Sequence, residues 1–133
     1  MAERPTRHWR KRVADQAAAV AAGTLPPEDA YAAHMWPAGL IAGTDAALDG
    51  FDCAMTVLDV SSDAAVFDAI RTVVLNLNWV HEGNPDPGYE TGERERLCEY
   101  IEISLEEAGV DVDGLAARRS ITRHEITNDW RRW

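Results

Sequence analysis

The sequence predicts a mainly α-helical fold, packed as one five- or six-helix domain over residues 1–133. Three observations predict it. Apolar residues recur at three- and four-residue spacing through 63–81 and 91–108, Gly83 and Gly109 close those two segments, and only residues 53–60 offer a strand as an alternative. A chain of 133 residues suits a single domain, able to bury roughly two thirds of its unfolded surface.

The elements follow in order. Thr6 is placed to cap a first helix that runs to Ala22 and stops at Gly23, with Trp9, Val13, Ala17, Val20 and Ala21 on one face. Its opening turn carries Arg7, Arg10, Lys11 and Arg12 at the positive end of the macrodipole, an arrangement that calls for compensation by the acidic body. Pro26 and Pro27 followed by Glu28 and Asp29 open a short helix through Tyr31 and Met35, which Pro37 ends near Trp36. Over 45–60 the spacing of Leu48, Phe51, Met55 and Leu58 favours helix over the short strand that the β-branched content of 53–60 allows. Ser62 or Asp63 caps a helix to His81 whose stripe is Val66, Ile70, Val73, Leu77 and Val80, widened by Val74. A turn-rich loop, 84–92, holds two prolines and two glycines. Thr91 caps the next helix, with Glu93 and Glu95 in its first turn, Leu97, Ile101, Leu105 and Ala108 inward, and Gly109 as its end. Asp111 to Gly114 turns, Leu115 to Arg119 adds a helical turn, and Thr127 is placed to cap a last short helix ending at Trp133.

Charge is partitioned along the chain. Residues 13–117 hold 20 Asp and Glu against three Arg, residues 1–12 sum to +4 and residues 118–133 to +3, which gives the net −10. A body at −17 repels a duplex, so nucleic acid is disfavoured as a partner and a basic protein favoured. No stretch approaches the roughly 20 apolar residues of a membrane span. The alanine-rich 17–22 segment after Arg10-Lys11-Arg12 reads as helix and not as a signal peptide. Cys53 and Cys98 have no CxxC spacing and sit beside apolar residues, so two buried free thiols and a cytoplasmic location are expected.

Reaction signatures are lacking. His81-Glu82 and His124-Glu125 have no HExxH partner for zinc, and Asp111-Val112-Asp113-Gly114 lacks the third carboxylate and the terminal Glu of a calcium loop. No phosphate-cradling glycine motif and no nucleophile elbow occurs. No catalytic residue, metal or cofactor is therefore assigned. The remaining route to an enzyme is a site assembled from His34, His81, His124 and nearby carboxylates.

Recognition is better supplied. Carboxylates at Glu90, Glu93, Glu99, Glu102, Glu106 and Glu107 crowd one helix, and with Glu82 and Asp86 of the adjoining loop they outline an acidic patch. Of the five Trp, Trp9, Trp36 and Trp79 fall on helix faces and are expected in the core. Trp130 and Trp133, in the terminal Asp-Trp-Arg-Arg-Trp, are either interface anchors or a tail docked on its own domain. The expected partner-binding residues are Glu82, Asp86, Tyr89, Glu90, Glu93, Trp130 and Trp133.

From Glu90 onward, the run Glu-Thr-Gly-Glu-Arg-Glu-Arg-Leu-Cys-Glu-Tyr-Ile, then Glu-Glu-Ala-Gly and the closing Ile-Thr-Asn-Asp-Trp-Arg-Arg-Trp, resembles the C-terminal part of small acidic bacterial helical proteins. That covers about a third of the chain. In size, acidity and helix content the whole is similar to nuclease-neutralising immunity proteins, which implies a non-enzymatic module that binds a basic toxin. The alternatives are self-association through the Trp-rich ends, as a homo-oligomer, and the histidine–carboxylate enzyme.

Overall fold

A computed structural model describes residues 2–133. It is helical throughout: α1 (Pro5–Ala21), α2 (Ala32–Met35), α3 (Ala38–Met55), α4 (Asp63–Gly83), α5 (Thr91–Glu107) and α6 (Val112–Arg118), with 3-10 turns at Pro27–Asp29 and Arg123–Glu125. Among the described residues there is no strand, and 53–60 is the last turn of α3 followed by a bend.

Local chemistry sets these boundaries. Pro5 occupies the first turn of α1, where its missing N–H costs nothing, and Gly23 ends that helix at φ +76°. Ser62 caps α4 by accepting from the Ala65 N–H at 3.1 Å. At the start of α5 the cap is Glu90, one residue before the expected Thr91, and it forms a reciprocal capping box with Glu93. The Asp111 carboxylate accepts from the Gly114 N–H, so the 111–114 turn is the first turn of α6.

Helices α3 and α4 make the most extensive pair. Gly43 faces Val80 and Gly39 faces Asn84, so the two run antiparallel. A Cβ at Gly43 would lie 3.0 Å from the Val80 methyls, and the bare glycine is what lets the backbones approach. The expected α4 stripe is buried in full, and with Leu40, Leu48, Leu97, Ile101, Leu105 and Leu115 it forms one core.

Five expectations need correction. Along α1 only Trp9 of the predicted face is buried; Val13 and Val20 are half-buried and Ala17 and Ala21 exposed, because the C-terminal half of the helix runs past the core. Thr6 lies inside α1, where its hydroxyl donates to Asp45 Oδ1 at 2.6 Å instead of capping. No helix follows Thr127: the last turn is Arg123–Glu125, boxed by Thr122, and Thr127 is buried beside Cys98. Cys53 is exposed and Cys98 only half-buried, although both are free. Trp79 is 79% exposed, because it projects from the side of α4 opposite the Val66–Val80 stripe.

Both basic ends fold back onto the acidic body, and of the first-turn cations that called for compensation Arg10 reaches α3 while Lys11 pairs with Asp15 of its own helix and Arg12 with the Tyr31 hydroxyl. Arg4 reaches Asp49 and Asp52 of α3 at 2.7 Å each and Asp45 at 3.4 Å, and Arg10 reaches Asp45 at 2.5 Å. At the other end Arg118 holds Asp63 through two bonds of 2.6 and 2.9 Å. Arg123 joins Glu102 at 2.7 Å, Asp113 at 3.4 Å and Glu106, and Arg132 meets Glu82 at 2.8 Å. Part of the charge partition along the sequence is therefore intramolecular pairing, carried by Arg4, Arg10, Arg118, Arg123 and Arg132.

Candidate interaction surface

Between α4 and α5 the chain makes a loop that the core holds from both ends. At its start the Asn84 amide donates to the Val80 carbonyl at 2.9 Å, closing the last turn of α4. At its end the Tyr89 N–H donates to Nδ1 of His81 at 3.0 Å, which requires that nitrogen to be free of a proton. Between them lie a cis Asp86–Pro87 bond and Gly88 at φ +71°. A Cβ at Gly88 would stand 2.6 Å from His81 Nδ1, so both the backbone conformation and the space demand glycine there.

Tyr89 is the anchor. Its ring is 5% exposed and packs between His81 (5.7 Å, stacked), Trp9 (6.3 Å) and Trp133 (5.5 Å, edge-on). Its hydroxyl lies 2.6 Å from Thr44 Oγ1, and burial pushes the phenol well above its ordinary pKa. Glu93, also buried, accepts from the Glu90 N–H at 3.3 Å, and burial raises its carboxyl above the usual range.

The seven expected contact residues thus divide by burial. Tyr89, Glu93 and Trp133 are interior and shape the surface from below. Trp130 is half-buried. Its carbonyl accepts from the Asn78 amide at 2.7 Å, and the Arg132 N–H donates to Asn78 Oδ1 at 3.0 Å, so the tail is docked on its own domain. Glu82, Asp86 and Glu90 remain at the surface. Asp86 stands furthest out, its side chain 89% exposed, with His34 Nε2 at 3.7 Å. The crowded carboxylates of α5 are mostly engaged: Glu99 with Arg96 at 3.5 Å, and Glu102 and Glu106 with Arg123.

Groups suited to reaction chemistry fall in two places: His34 and His81 flank the 84–90 loop, while Cys98, Glu102 and His124 line one open groove. His34 faces Asp86, His81 holds the Tyr89 backbone, and His124 contacts Glu102 at 3.3 Å. Cys98 lies in an open groove of about 670 Å³ with its sulfur 3.7 Å from both Thr127 and Arg131, and burial raises its thiol pKa, the opposite of what a nucleophile needs. Among the described residues no three His, Cys, Asp or Glu side chains are grouped to hold a metal ion, and no helix is long and apolar enough to cross a membrane.

One surface feature escaped the sequence reading. Leu75 and Trp79, 39% and 79% exposed, lie one turn apart on the outer side of α4, beside Glu82. Their angular position signals it: at 100° per residue, position 79 lies about 200° from the buried position 77, on the side shared with Arg71 and Glu82. Comparison of the chain with protein families, with curated proteins and with solved structures finds no match.

Proposed function

We propose that this chain is a non-catalytic protein-binding module that presents the last turn of α4 and the 84–90 loop, through Glu82, Asp86 and Glu90, to a basic protein partner. An immunity or inhibitor protein acting on a cytoplasmic toxin would work in this way. The observation that carries the reading is the loop's construction: a buried tyrosine and two side-chain-to-backbone bonds fix the acidic loop before any partner arrives. A fixed loop loses little conformational freedom on binding, so more of the interaction energy appears as affinity. The net charge of −10 adds long-range attraction for a basic surface, which speeds association and makes it sensitive to salt.

The test compares the wild-type chain with an Asp86→Asn/Glu90→Gln variant as baits in an extract of the source cell, at low and at high salt. Glutamine at 90 keeps an oxygen for the cap of α5. A basic protein held by the wild type at low salt, released by high salt and not held by the variant supports the reading. Equal retention by both baits contradicts it.

A further inference from the structure

We infer that the chain forms a two-fold homodimer in which α4 of one copy lies antiparallel against α4 of a second copy, with Leu75 and Trp79 at the centre. The inference shares Glu82 with the acidic-loop reading but not Asp86 or Glu90, so the mass of the isolated chain tests it without any basic partner present.

The stripe Arg71, Leu75, Trp79 and Glu82 follows i, i+4, i+8, i+11 spacing, which places all four within an arc of about 80° along about 16 Å of helix. Every other large apolar residue of this helix is buried in the monomer's core, which leaves Leu75 and Trp79 as the two exposed ones, at 39% and 79%. Trp is also the residue type that most often anchors protein interfaces. The turn after α3 exposes Val57 and Val60 as well, but no charged pattern there specifies a partner.

Charge order identifies the occupant. The stripe opens with a cation and closes with an anion, and both are exposed. Turned end for end about the midpoint between Asn76 and Leu77, it sets Arg71 level with Glu82 of the second copy. The same operation brings Leu75 within one residue of the second copy's Trp79. A two-fold axis makes each contact twice, giving two Arg–Glu pairs flanking two Leu–Trp contacts. A parallel arrangement would put Arg71 against Arg71 and Glu82 against Glu82, so the charges reject it. Among the described residues Arg71 has no ion-pair partner, while Glu82 receives Arg132 at 2.8 Å with both side chains still at the surface. A contact of about three helical turns lies at the small end of specific interfaces, which predicts reversible association.

The experiment is light scattering or sedimentation equilibrium of the full chain over a range of concentrations. Wild-type mass should climb from 14.7 kDa toward twice that value as concentration rises. Trp79→Ser should stay monomeric with an unchanged far-ultraviolet circular dichroism spectrum, since the side chain is 79% exposed and outside the core of the monomer. Arg71→Glu and Glu82→Arg should each weaken dimerisation about tenfold, and the two together should restore it. A wild type that remains at 14.7 kDa throughout, a Trp79→Ser chain that still dimerises, or a double exchange that fails to recover association would each overturn the inference.

Discussion

The hydroxyl of Tyr89 lies 2.6 Å from Oγ1 of Thr44, both fully inside the core, and thereby joins the α4–α5 loop to the middle of α3. Thr44 donates its own proton to the Leu40 carbonyl at 2.6 Å, which leaves Tyr89 as the donor of the pair. The acidic loop is thus fixed by a residue buried beneath it.

Tyr89→Phe removes that donor and leaves the ring packing intact. We expect a loss of about 1 kcal/mol, seen as a melting temperature lower by about 3–4 °C in a domain of this size. A thermal melt of the variant beside the wild type checks it.

Arg123 is expected to matter more than its surface position suggests, because it neutralises Glu102, whose side chain is 7% exposed. Arg123→Ala strands a buried carboxylate and should cost about 2 kcal/mol, less than a fully buried pair because the guanidinium is partly solvated. Adding Glu102→Gln should return part of that loss. Urea midpoints of the single and double variants decide the matter.

Asp45 gives the fold a sensitivity to acid. Burial alone would raise its carboxyl, but the Thr6 hydroxyl and the Arg10 and Arg4 guanidinium groups outweigh burial and hold it below the ordinary value. A depressed folded value stabilises above the unfolded carboxylate pKa of about 3.9, and that contribution is lost as pH falls through the folded value. Asp45→Asn should therefore lower the urea midpoint at pH near 7, with the difference from wild type shrinking toward pH near 3.

Glu93 has the opposite sign. Burial raises its folded pKa, so ionising it costs stability; the penalty is absent below the unfolded value of about 4.3 and complete above the folded one. Glu93→Gln keeps the acceptor for the Glu90 N–H and should raise the urea midpoint at neutral pH, with no gain near pH 4.

Sequence periodicity was enough to locate α4 and α5, because each carries a full apolar stripe between a polar cap and a closing glycine. The helical preference over 45–60 was legible as far as Met55, with Leu48 and Phe51 one turn apart and both buried, but 56–60, including Leu58, lies beyond the end of α3. Trp79 was misplaced because a large aromatic beside an apolar stripe resembles part of it until its angle is counted. Tyr89 and Glu93 looked like contact residues because a loop rich in Pro, Gly and acid reads as fully exposed. The burial of Tyr89 depends on Trp9, Thr44 and Trp133, contacts 40 or more residues away that no local pattern encodes. The pairing of the basic ends with α3, α4 and α5 was foreshadowed by the charge partition, but which carboxylate each arginine takes follows only from the packing.

The central claim is that the loop between α4 and α5 is rigid before it binds anything. Backbone amide order parameters over 84–90, measured by NMR relaxation on the isolated chain, test it most directly. The account predicts values of about 0.85, equal to those of the flanking helices. Values below about 0.6 across the loop would contradict it.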